Sequence, residues 1–567
     1  MRTSTATSLE TALPTGSQSS ANKRETADME ELVSDFGYMS VNATTRDFYG
    51  FTSMMSFSRL VLSASAGHSL LPSDTIQLPP RYAAMPLIRQ YLSSVFAILP
   101  FFSETSIFAS IDAIYQGNGS HLDHWTVNMI LAIASSLLSR RHGDAEYRKA
   151  EGYVAAALKR ADKVLTPGSI PGIQAILFLV VYSMLDPAHF DSWYLIGIAS
   201  RAAVDIGLHH DPPKQVLSNN AQLDRRRRVF YCVYTLDRSI SMVHARAFSF
   251  TDESTDVALP SIPTKLASRG FQGGKQIWQQ PLDSALHLFR LRQLQSSWYQ
   301  ELFQSGRSPL ASPDQYIYGV CENTREWSET IPESVSAPIR EQFELEALYS
   351  YIYALAPTRR SYVISEPARV LTFEYCATYA EKLLPIAMNR ASTAFYTFHD
   401  ALRVYFLGSL FVATLRENEE LLLNGVAPVV TYAPRPDEPP IPPFPTRGRA
   451  GNASRAINCI NRVIRILEAY GDRWDDAAAL CERFKDESAS MVTKLHQRSE
   501  SMAVSPERDR AIPYFKQEPI TELSLIESSE WGNILPETNS TSLSLESSRV
   551  KSEPFLMSSG NNGGFPF

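Results

Sequence analysis

Cysteine is scarce in this sequence and is never clustered. The 567 residues contain five cysteines: Cys232, Cys321, Cys376, Cys459 and Cys481. None lies in the N-terminal region, and no two are separated by two residues, which is the usual spacing of zinc-binding pairs. Scattered single cysteines are typically small buried residues. We therefore expect buried thiols and no zinc site built from cysteine pairs.

The sequence also lacks an apolar run long enough to cross a membrane. The most apolar stretches, residues 173–185 and 404–415, fall short of the roughly 20 residues that a helical span needs. The N-terminus has no apolar core of the kind that a signal peptide carries. We expect buried core helices, no membrane contact and no secretion.

An excess of positive charge is missing as well. The net charge is -7 at pH 7, so the chain as a whole does not attract the phosphates of nucleic acids. Lys23 and Arg24 form the only basic pair of the N-terminal region, within a segment rich in serine and threonine. Sequence-specific DNA binding by the chain itself therefore has little electrostatic support.

Catalytic signatures are absent too. The sequence has no P-loop, no G-x-S-x-G elbow and no H-E-x-x-H pair. The run at residues 209–211, His-His-Asp, is better explained as a helix C-terminal cap with favourable imidazole placement. His121, Asp123 and His124 lie one turn apart and could contact a metal, but no further ligand can be identified. We predict that the chain is not an enzyme and has no catalytic residue, metal site or evident cofactor.

Helical periodicity is what the sequence does contain. Apolar residues recur at three and four positions from about residue 86 to residue 496, and alternating strand patterns are few. With 44% apolar residues, the chain can support a large core, and an all-α fold is predicted. The predicted helices cover residues 87–99, 124–140, 147–164, 173–185, 282–303, 343–356, 370–385, 397–423 and 453–470.

Residues 199–260 carry the most informative pattern. Apolar residues between 199 and 206 predict a helix, Gly207 can adopt the left-handed cap conformation, and two prolines at 212–213 prevent continuation. A second helix is predicted to start near Asn219, with Gln222 completing a capping box and Asp224 pairing with Arg228. Its apolar stripe consists of Val229, Val233, Leu236 and Ile240.

Four consecutive arginines, residues 225–228, precede that stripe directly. They could contact DNA, act as a nuclear import signal, or form a structural ion-pair network beneath a helical core. We favour the network, because the run continues into a stripe that must be buried. Asp237 and Arg238 agree with this interpretation, since charges inside an apolar stretch need partners.

The combined spacing resembles the regulatory, or middle-homology, domain of fungal zinc-cluster transcription factors. In that family, A-x-x-x-G-L-H precedes R-R-x-x-[FW]-x-x-[YL]-x-x-D-R, and a loop of the form G-R-P-x-x-I-x-D-x-D-x-x-x-P follows. The sequence departs from the loop pattern at Ala245 and Ala247, where the family usually has glycine and proline. The matching residues are Ala203, Gly207, Leu208, His209, Arg227, Arg228, Phe230, Tyr234, Asp237, Arg238, Arg246, Asp252, Asp256 and Pro260.

Weaker similarities extend the resemblance to roughly residues 45 to 500. Residues 47–53 are similar to the Y-x-G-x-x-S segment that follows the DNA-binding region in the family. Residues 287–291 resemble a later helix, and Trp327 with Pro332 resembles the W-x-x-x-L-P connector. The resemblance implies a zinc cluster of six N-terminal cysteines, which this chain does not supply. A partner could provide the missing module, or it could have been lost in evolution or left out of the gene model.

We predict three regions. Residues 1–44 form a disordered segment, residues 45–500 form the regulatory domain with a proline-rich insertion at 428–445, and residues 501–567 form a disordered tail. The insertion is interpreted as a surface loop, with a ligand for a proline-recognition domain as the alternative. The tail mixes serine and glutamate with bulky residues, which is typical of an activation segment or of a plain disordered tail. Its bulky residues are Leu523, Leu525, Ile526, Trp531, Ile534 and Leu535.

Two lysines of the tail, Lys516 and Lys551, are candidate SUMO acceptors. Each follows a bulky apolar residue and lies two positions before a glutamate. Modification there would favour repression or a change of partner.

The resemblance implies a nuclear transcriptional regulator of a fungal metabolic gene cluster, for example one for a secondary metabolite. Its partners would be a second copy or a related chain in a dimer and the transcription machinery. Promoter DNA would be a direct partner only if a DNA-binding module is supplied elsewhere. The alternatives are a small-molecule-sensing co-regulator that acts through a DNA-binding partner, and a helical enzyme.

Overall fold

The computed structural model describes most of the chain between residues 57 and 503. The described residues are 57–58, 61–65, 67, 76–213, 220–261, 282–389, 394–424, 428–430, 434–436, 438–443 and 451–503. Within these ranges the named elements are helices and no strand is present, so the prediction of an all-α fold is confirmed. The segments predicted at 1–44 and 47–53, and nearly all of the tail at 501–567, lie outside the described residues.

The first eight α-helices lead to the motif segment. They are α1 (Arg81–Tyr91), α2 (Glu104–Tyr115), α3 (His121–Leu138), α4 (Ala145–Leu158), α5 (Ala161–Val164), α6 (Ile170–Leu185), α7 (Ser192–Asp205) and α8 (Asn220–Val243). A π-helical turn, Leu92–Phe96, follows α1.

Eight more α-helices complete the described part of the chain. They are α9 (Asp283–Tyr299), α10 (Pro313–Glu329), α11 (Ala337–Leu355), α12 (Glu366–Met388), α13 (Phe398–Glu417), α14 (Glu419–Leu423), α15 (Asn452–Gly471) and α16 (Asp475–Ala503). A second π-helical turn, Gln300–Gln304, follows α9.

Local sequence signals fix several of the helix starts. Ser120 and Asp123 form a reciprocal capping box at α3, and Thr397 with Asp400 forms another at α13. At α6 the Ser169 hydroxyl accepts a hydrogen bond from the amide of Gly172, with proline in the first turn. Each of these caps satisfies backbone donors that a helix start leaves unpaired.

The helices enclose two large apolar cores. The first core draws on α1 to α9 and on parts of α10 and α11, and the second draws mainly on the helices from α9 to α16. Helix α8 belongs to both, because Ile240 lies in the first core and Met242 in the second. Helices α9, α10 and α11 also contribute to both cores, so the two cores are connected through four helices.

Three helices were missed by the sequence patterns: α2, α10 and α16. Helix α16 is largely polar, and its buried positions recur at three and four residues: Ala477, Leu480, Cys481, Phe484, Ser488, Met491 and Leu495. It ends at Ala503, three residues beyond the predicted domain limit at residue 500. This buried face packs against α15 and α13 and stabilises the helix.

Two predicted helices are each divided in the structure. The predicted helix 147–164 is broken at Arg160, whose φ of -113° and ψ of 6° separate α4 from α5. The predicted helix 397–423 is broken at Asn418, which separates α13 from α14 with φ of -136° and ψ of 41°. Both breaks preserve the apolar period on either side, which is why the sequence pattern continues through them.

The proline-rich stretch at 428–445 is described only in part. The amide of Val429 donates a 2.6 Å hydrogen bond to the Glu366 carboxylate at the start of α12, and Ile441 packs on a small core below α10 and α12. Val429 itself is 63% exposed. Helices α15 and α16 follow this stretch, so the fold continues after it. Among the described residues, no helix is both long and apolar enough to cross a membrane.

Candidate functional site

Helices α7 and α8 end in the same hydrogen-bond pattern. At the end of α7, the amide of Leu208 donates to the Ala203 carbonyl at 2.8 Å, with Gly207 at a φ of +66°. At the end of α8, the amide of Arg246 donates to the Ser241 carbonyl at 2.8 Å, with Ala245 at a φ of +50°. These are left-handed helix caps, for which glycine is the usual residue. The turn after α8 thus has the left-handed conformation that favours glycine, although residue 245 is alanine.

Three of the four consecutive arginines are engaged within the fold. Arg226 donates to the Gly207 carbonyl at 2.6 Å and so satisfies the C-terminal end of α7. Arg227 makes a two-point ion pair with Asp211, and Arg228 pairs with Asp224 at 2.6 Å. Arg225 is exposed. The basic run therefore connects α7 to α8, as the interpretation of a structural network requires.

Asp211 also organises the backbone beyond α7. Its carboxylate accepts a hydrogen bond from the amide of Ala258 at 3.2 Å, and its own amide donates to the Asp256 carbonyl at 2.8 Å. The amide of Asp256 donates to the His209 carbonyl at 2.9 Å, which forms a short parallel bridge between the two segments. The acidic loop is thereby attached to the end of α7, and Pro260 beyond it is buried.

Asp237 and Arg238 hold the first half of that loop on α8. Both residues are fully buried, and their side chains pair at 2.9 Å. Asp237 accepts hydrogen bonds from the hydroxyl and the amide of Ser249, and Arg238 donates to the Phe250 carbonyl and to Asp252, each at 2.9 Å. Burial raises the pKa of the Asp237 carboxyl, while the Arg238 charge and the Ser249 donors oppose that rise.

Aromatic rings surround the Arg238 guanidinium. Its central carbon lies 4.0 Å from the ring centre of Tyr234 and 4.4 Å from that of Phe250. The Tyr234 hydroxyl donates to Asp252 at 2.9 Å, so the ring and the carboxylate are held together. Phe230 packs against Tyr234 and Phe250. The spacing of aromatic residues before Asp237 thus builds the environment of one buried cation.

Arg246 lies at the turn between α8 and the acidic loop. Its guanidinium carbon is 4.1 Å from the ring centre of Trp193 at the start of α7, and its carbonyl accepts a 3.2 Å hydrogen bond from Tyr299. The matching residues from Gly207 to Pro260 therefore form one connected structural unit.

The two later similarities of sequence also meet in space. The indole of Trp327 donates to the His287 carbonyl at 2.9 Å, and the two rings stack with centres 4.5 Å apart. The Pro332 carbonyl accepts a 2.8 Å hydrogen bond from Arg340. Residues 287–291 and the connector after Trp327 thus pack as one contact.

The candidate metal groups of the sequence serve other purposes. Asp123 is occupied by the cap of α3 and by the Ser110 hydroxyl at 2.6 Å, and Asp211 by Arg227. Across the described ranges, no group of three or more histidine, cysteine or acidic side chains is placed to hold a metal ion. All five cysteines are buried and free, as expected. Lys516 and Lys551 lie outside the described residues, so their assignment stays a prediction.

A second buried charge cluster was not found from the sequence. Glu346 of α11 accepts from Arg292 of α9 at 2.8 and 3.0 Å and from Arg403 of α13 at 2.8 Å. Burial alone would raise the pKa of Glu346, but the two arginines hold that pKa well below its usual range. The sequence feature that could have revealed this cluster is the same as at Asp237 and Arg238, namely a charged residue inside an apolar helical stripe.

Comparison with known proteins finds a family model that is similar to residues 88–336. Residues 88–336 match the family model described as the fungal specific transcription factor domain. A positive regulator of purine utilization from Emericella nidulans is 24% identical over 381 residues, which cover 50% of this chain and 36% of that protein. No solved structure matches the chain.

Two further relatives align over shorter lengths. Pyrimidine pathway regulatory protein 1 of Saccharomyces cerevisiae is 32% identical over 148 residues, 25% of this chain and 15% of that protein. An ABC-transporter-regulating transcription factor of Aspergillus oryzae is 26% identical over 287 residues, 48% of this chain and 30% of that protein. The chain thus aligns with about a third or less of each of these relatives. The resemblance predicted from residues 199–260 is confirmed, since residues 88–336 match the model of the fungal specific transcription factor domain.

Proposed function

We propose that the chain is a nuclear transcriptional regulator in which the helical body is a regulatory scaffold. The observation that carries the proposal is the family match at residues 88–336, together with relatives named as regulators of purine utilization and of ABC transporters. The buried motif network agrees with it, because its residues stabilise contacts between helices and supply no catalytic arrangement. Control of a metabolic gene set is the corresponding biological role.

The basic run is assigned to the scaffold in this proposal. Three arginines of the run already bond within the fold. Arg226 donates to the Gly207 carbonyl, Arg227 pairs with Asp211, and Arg228 pairs with Asp224. A guanidinium already paired with a carboxylate gains little from a phosphate, because the first pair must be broken. Promoter contact is therefore assigned to another module, in a partner chain or elsewhere in the protein.

The contact with the transcription machinery is assigned to residues 501–567. Their sequence interleaves acidic residues with leucine, isoleucine and tryptophan, which keeps a segment soluble while leaving apolar groups for a partner. Dimerisation is assigned to the helical body.

A tethering experiment tests the proposal. Three forms of the protein would each be fused to a heterologous DNA-binding domain beside a reporter gene. They are the full chain, residues 1–503 alone, and the full chain carrying both Trp531→Ala and Leu535→Ala. We expect the full chain to change reporter output and both altered forms to lose most of that change. As a matched control, Trp531→Phe keeps an aromatic residue and should retain the effect. An unchanged reporter with the full chain would refute the assignment.

Localisation and assembly are measured separately. A fluorescent fusion of the full chain should accumulate in the nucleus. Sedimentation of residues 1–503 and of the full chain should give the same dimer mass if the helical body carries the interface. A monomer in both cases would contradict the dimerisation part alone.

A further inference from the structure

A small cavity lies beside the first apolar core, to which its apolar lining residues Leu236, Leu288 and Phe343 belong. It has a volume of about 40 Å³ and is lined by side chains of α6, α8, α9, α11 and α13, together with Ile98 and Leu99. At roughly 10–15 Å³ for each water-sized site, this volume fits a group of only a few heavy atoms. Of the lining residues, Gln342 and Asp400 are partly exposed and the others are buried.

Four charged side chains line this cavity: Arg292, Arg403, Glu346 and Asp400. Glu346 is shared between both arginines, and Asp400 is 3.5 Å from Arg403. Burial raises the pKa of the Asp400 carboxyl, against the opposing charge of Arg403. The two guanidinium groups share the Glu346 carboxylate, whereas Asp400 also accepts hydrogen bonds from the amide and hydroxyl of Thr397.

The lining also carries donors that lack acceptors. Within the described part of the chain, the Nε atoms of Arg292 and Arg403 and the hydroxyl of Thr235 are buried without a hydrogen-bond partner. A buried donor on a charged group is expensive to leave unpaired. Three residues of α8, α9 and α13 with unpaired buried donors thus line one small space, and His399, whose Nδ1 is also buried without a partner, lines it as well.

Neither the motif network nor the apolar cores explain this arrangement. Arg292 and Gln295 already bond to each other at 2.5 Å, and Gln295 bonds to Ser350 at 2.8 Å, so the neighbouring polar groups on α9 and α11 are satisfied. A metal ion would compete with both arginines for the carboxylates, and the described residues offer it no group of three ligands. What is missing is an acceptor with negative charge.

From these contacts we infer that the cavity binds a small carboxylate, or the carboxylate end of a slightly longer metabolite. The carboxylate oxygens accept from the Nε atoms of Arg292 and Arg403 and from Thr235. Because the site is lined by α8, α9, α11 and α13, occupancy would stabilise the packing of these helices. The inference that the cavity binds a carboxylate does not depend on the proposed function, whereas a regulatory effect of that binding rests on it.

Thermal unfolding of the full chain provides the test, with acetate as the probe. We expect acetate to raise the melting temperature in a saturable manner, since a ligand bound only by the folded state stabilises it. Acetamide has the same shape as acetate without the charge and serves as the neutral control. Sodium sulfate at equal ionic strength measures the general salt effect. Equal shifts with acetate and sulfate, or no shift with acetate, would overturn the inference.

Two variants locate the binding. Thr235→Val removes one hydroxyl while keeping shape, and we expect it to weaken acetate binding about tenfold, the usual effect of one hydrogen bond to a charged group. Arg403→Lys keeps the charge and removes the Nε donor, with a similar or larger loss. Thr372→Val is the matched control, because Thr372 is also buried on a helix but bonds to the Ala368 carbonyl away from the cavity. If Thr235→Val binds acetate as the control does, the cavity is not the site.

The tethered reporter separates this inference from the proposed function. An acetate-dependent melting temperature with an inactive reporter would leave the site standing and remove the regulatory role. An active reporter with no acetate effect would leave the regulator standing and remove the site.

Discussion

Arg238 donates to the Asp252 carboxylate at 2.9 Å from a guanidinium with no exposed surface. The contact joins the middle of α8 to the acidic loop 14 residues later. Asp237 completes the site through Ser249 of the same loop. One buried Asp-Arg pair therefore determines how the loop after α8 returns to the end of α7, and this explains why its spacing to the preceding aromatic residues is so distinctive.

The first prediction concerns Arg238 itself. Arg238→Ala should lower the free energy of unfolding by about 3–5 kcal/mol, because it leaves Asp237 buried without its counter-charge. Urea denaturation of the full chain, followed by helical circular dichroism, measures the change.

An exposed arginine of the same helix provides the control. Arg225→Ala removes the same side chain from a solvent-facing position of α8, and its effect should stay within about 0.5 kcal/mol. Similar losses for the two variants would show that the buried pair has no special structural role.

The second prediction concerns the cap of α8. Ala245 has a φ of +50°, a conformation that costs a non-glycine residue about 1–2 kcal/mol. After subtraction of the larger entropy that glycine loses on folding, Ala245→Gly should stabilise the protein by about 0.5–1 kcal/mol. A higher urea midpoint at unchanged slope would report it.

The same substitution inside a helix should have the opposite sign. Ala479 is exposed within α16, and Ala479→Gly should destabilise the protein by about 1 kcal/mol. Gly207→Ala at the cap of α7, with a φ of +66° and open space around it, should also destabilise. A loss of stability in Ala245→Gly would mean that the turn is not strained by its alanine.

The sequence was sufficient for the parts of the fold that local patterns control. The stripe Val229, Val233, Leu236 and Ile240 is buried, and the pair Asp224–Arg228 forms as the spacing predicts. Gly207 has the predicted left-handed conformation. These features depend on neighbours within one or two turns, which periodicity and capping rules describe.

The cavity could not be found in this way. Arg292, Glu346 and Arg403 lie on three helices, and Glu346 is 54 and 57 residues from its two partners. Each looked like an ordinary charge between apolar residues, and only tertiary packing brings them together. Helix α16 was missed for a similar reason. Its apolar residues are few, and they are buried by contact with α15 and α13.

The third prediction is a pH dependence of stability. His287 lies between Trp327 and Phe343 and is 1% exposed. Burial lowers the pKa of His287 to about 4, and the nearby charges of Arg290 and Arg340 act in the same direction. An unfolded histidine has a pKa of about 6.5. Between these values the unfolded state binds more protons, so the free energy of unfolding falls as the pH falls through this window.

A variant without the imidazole isolates this contribution. His287→Phe should flatten the pH dependence by about 1.4 kcal/mol per pH unit within the window, as measured by urea denaturation at several pH values. Phe343→Leu is the control, because it weakens the same packing without removing a titrating group. If both variants keep the wild-type slope, His287 does not contribute to acid sensitivity.

The fourth prediction concerns thiol reactivity. All five cysteines are buried, and burial raises the pKa of the Cys232, Cys376 and Cys459 thiols. Since the thiolate is the reactive form, labelling by a soluble disulfide reagent should be slow in the folded protein and should require opening of the fold. Unfolding in guanidinium should release all five thiols. Rapid labelling of any one thiol in the native protein, located by mass spectrometry, would contradict its burial, and Cys481 on the partly exposed helix α16 is the most demanding test.

The same assay on Arg238→Ala links it to the first prediction: loss of the buried pair should accelerate labelling at Cys232, on the preceding turns of α8, more than at Cys459 on α15.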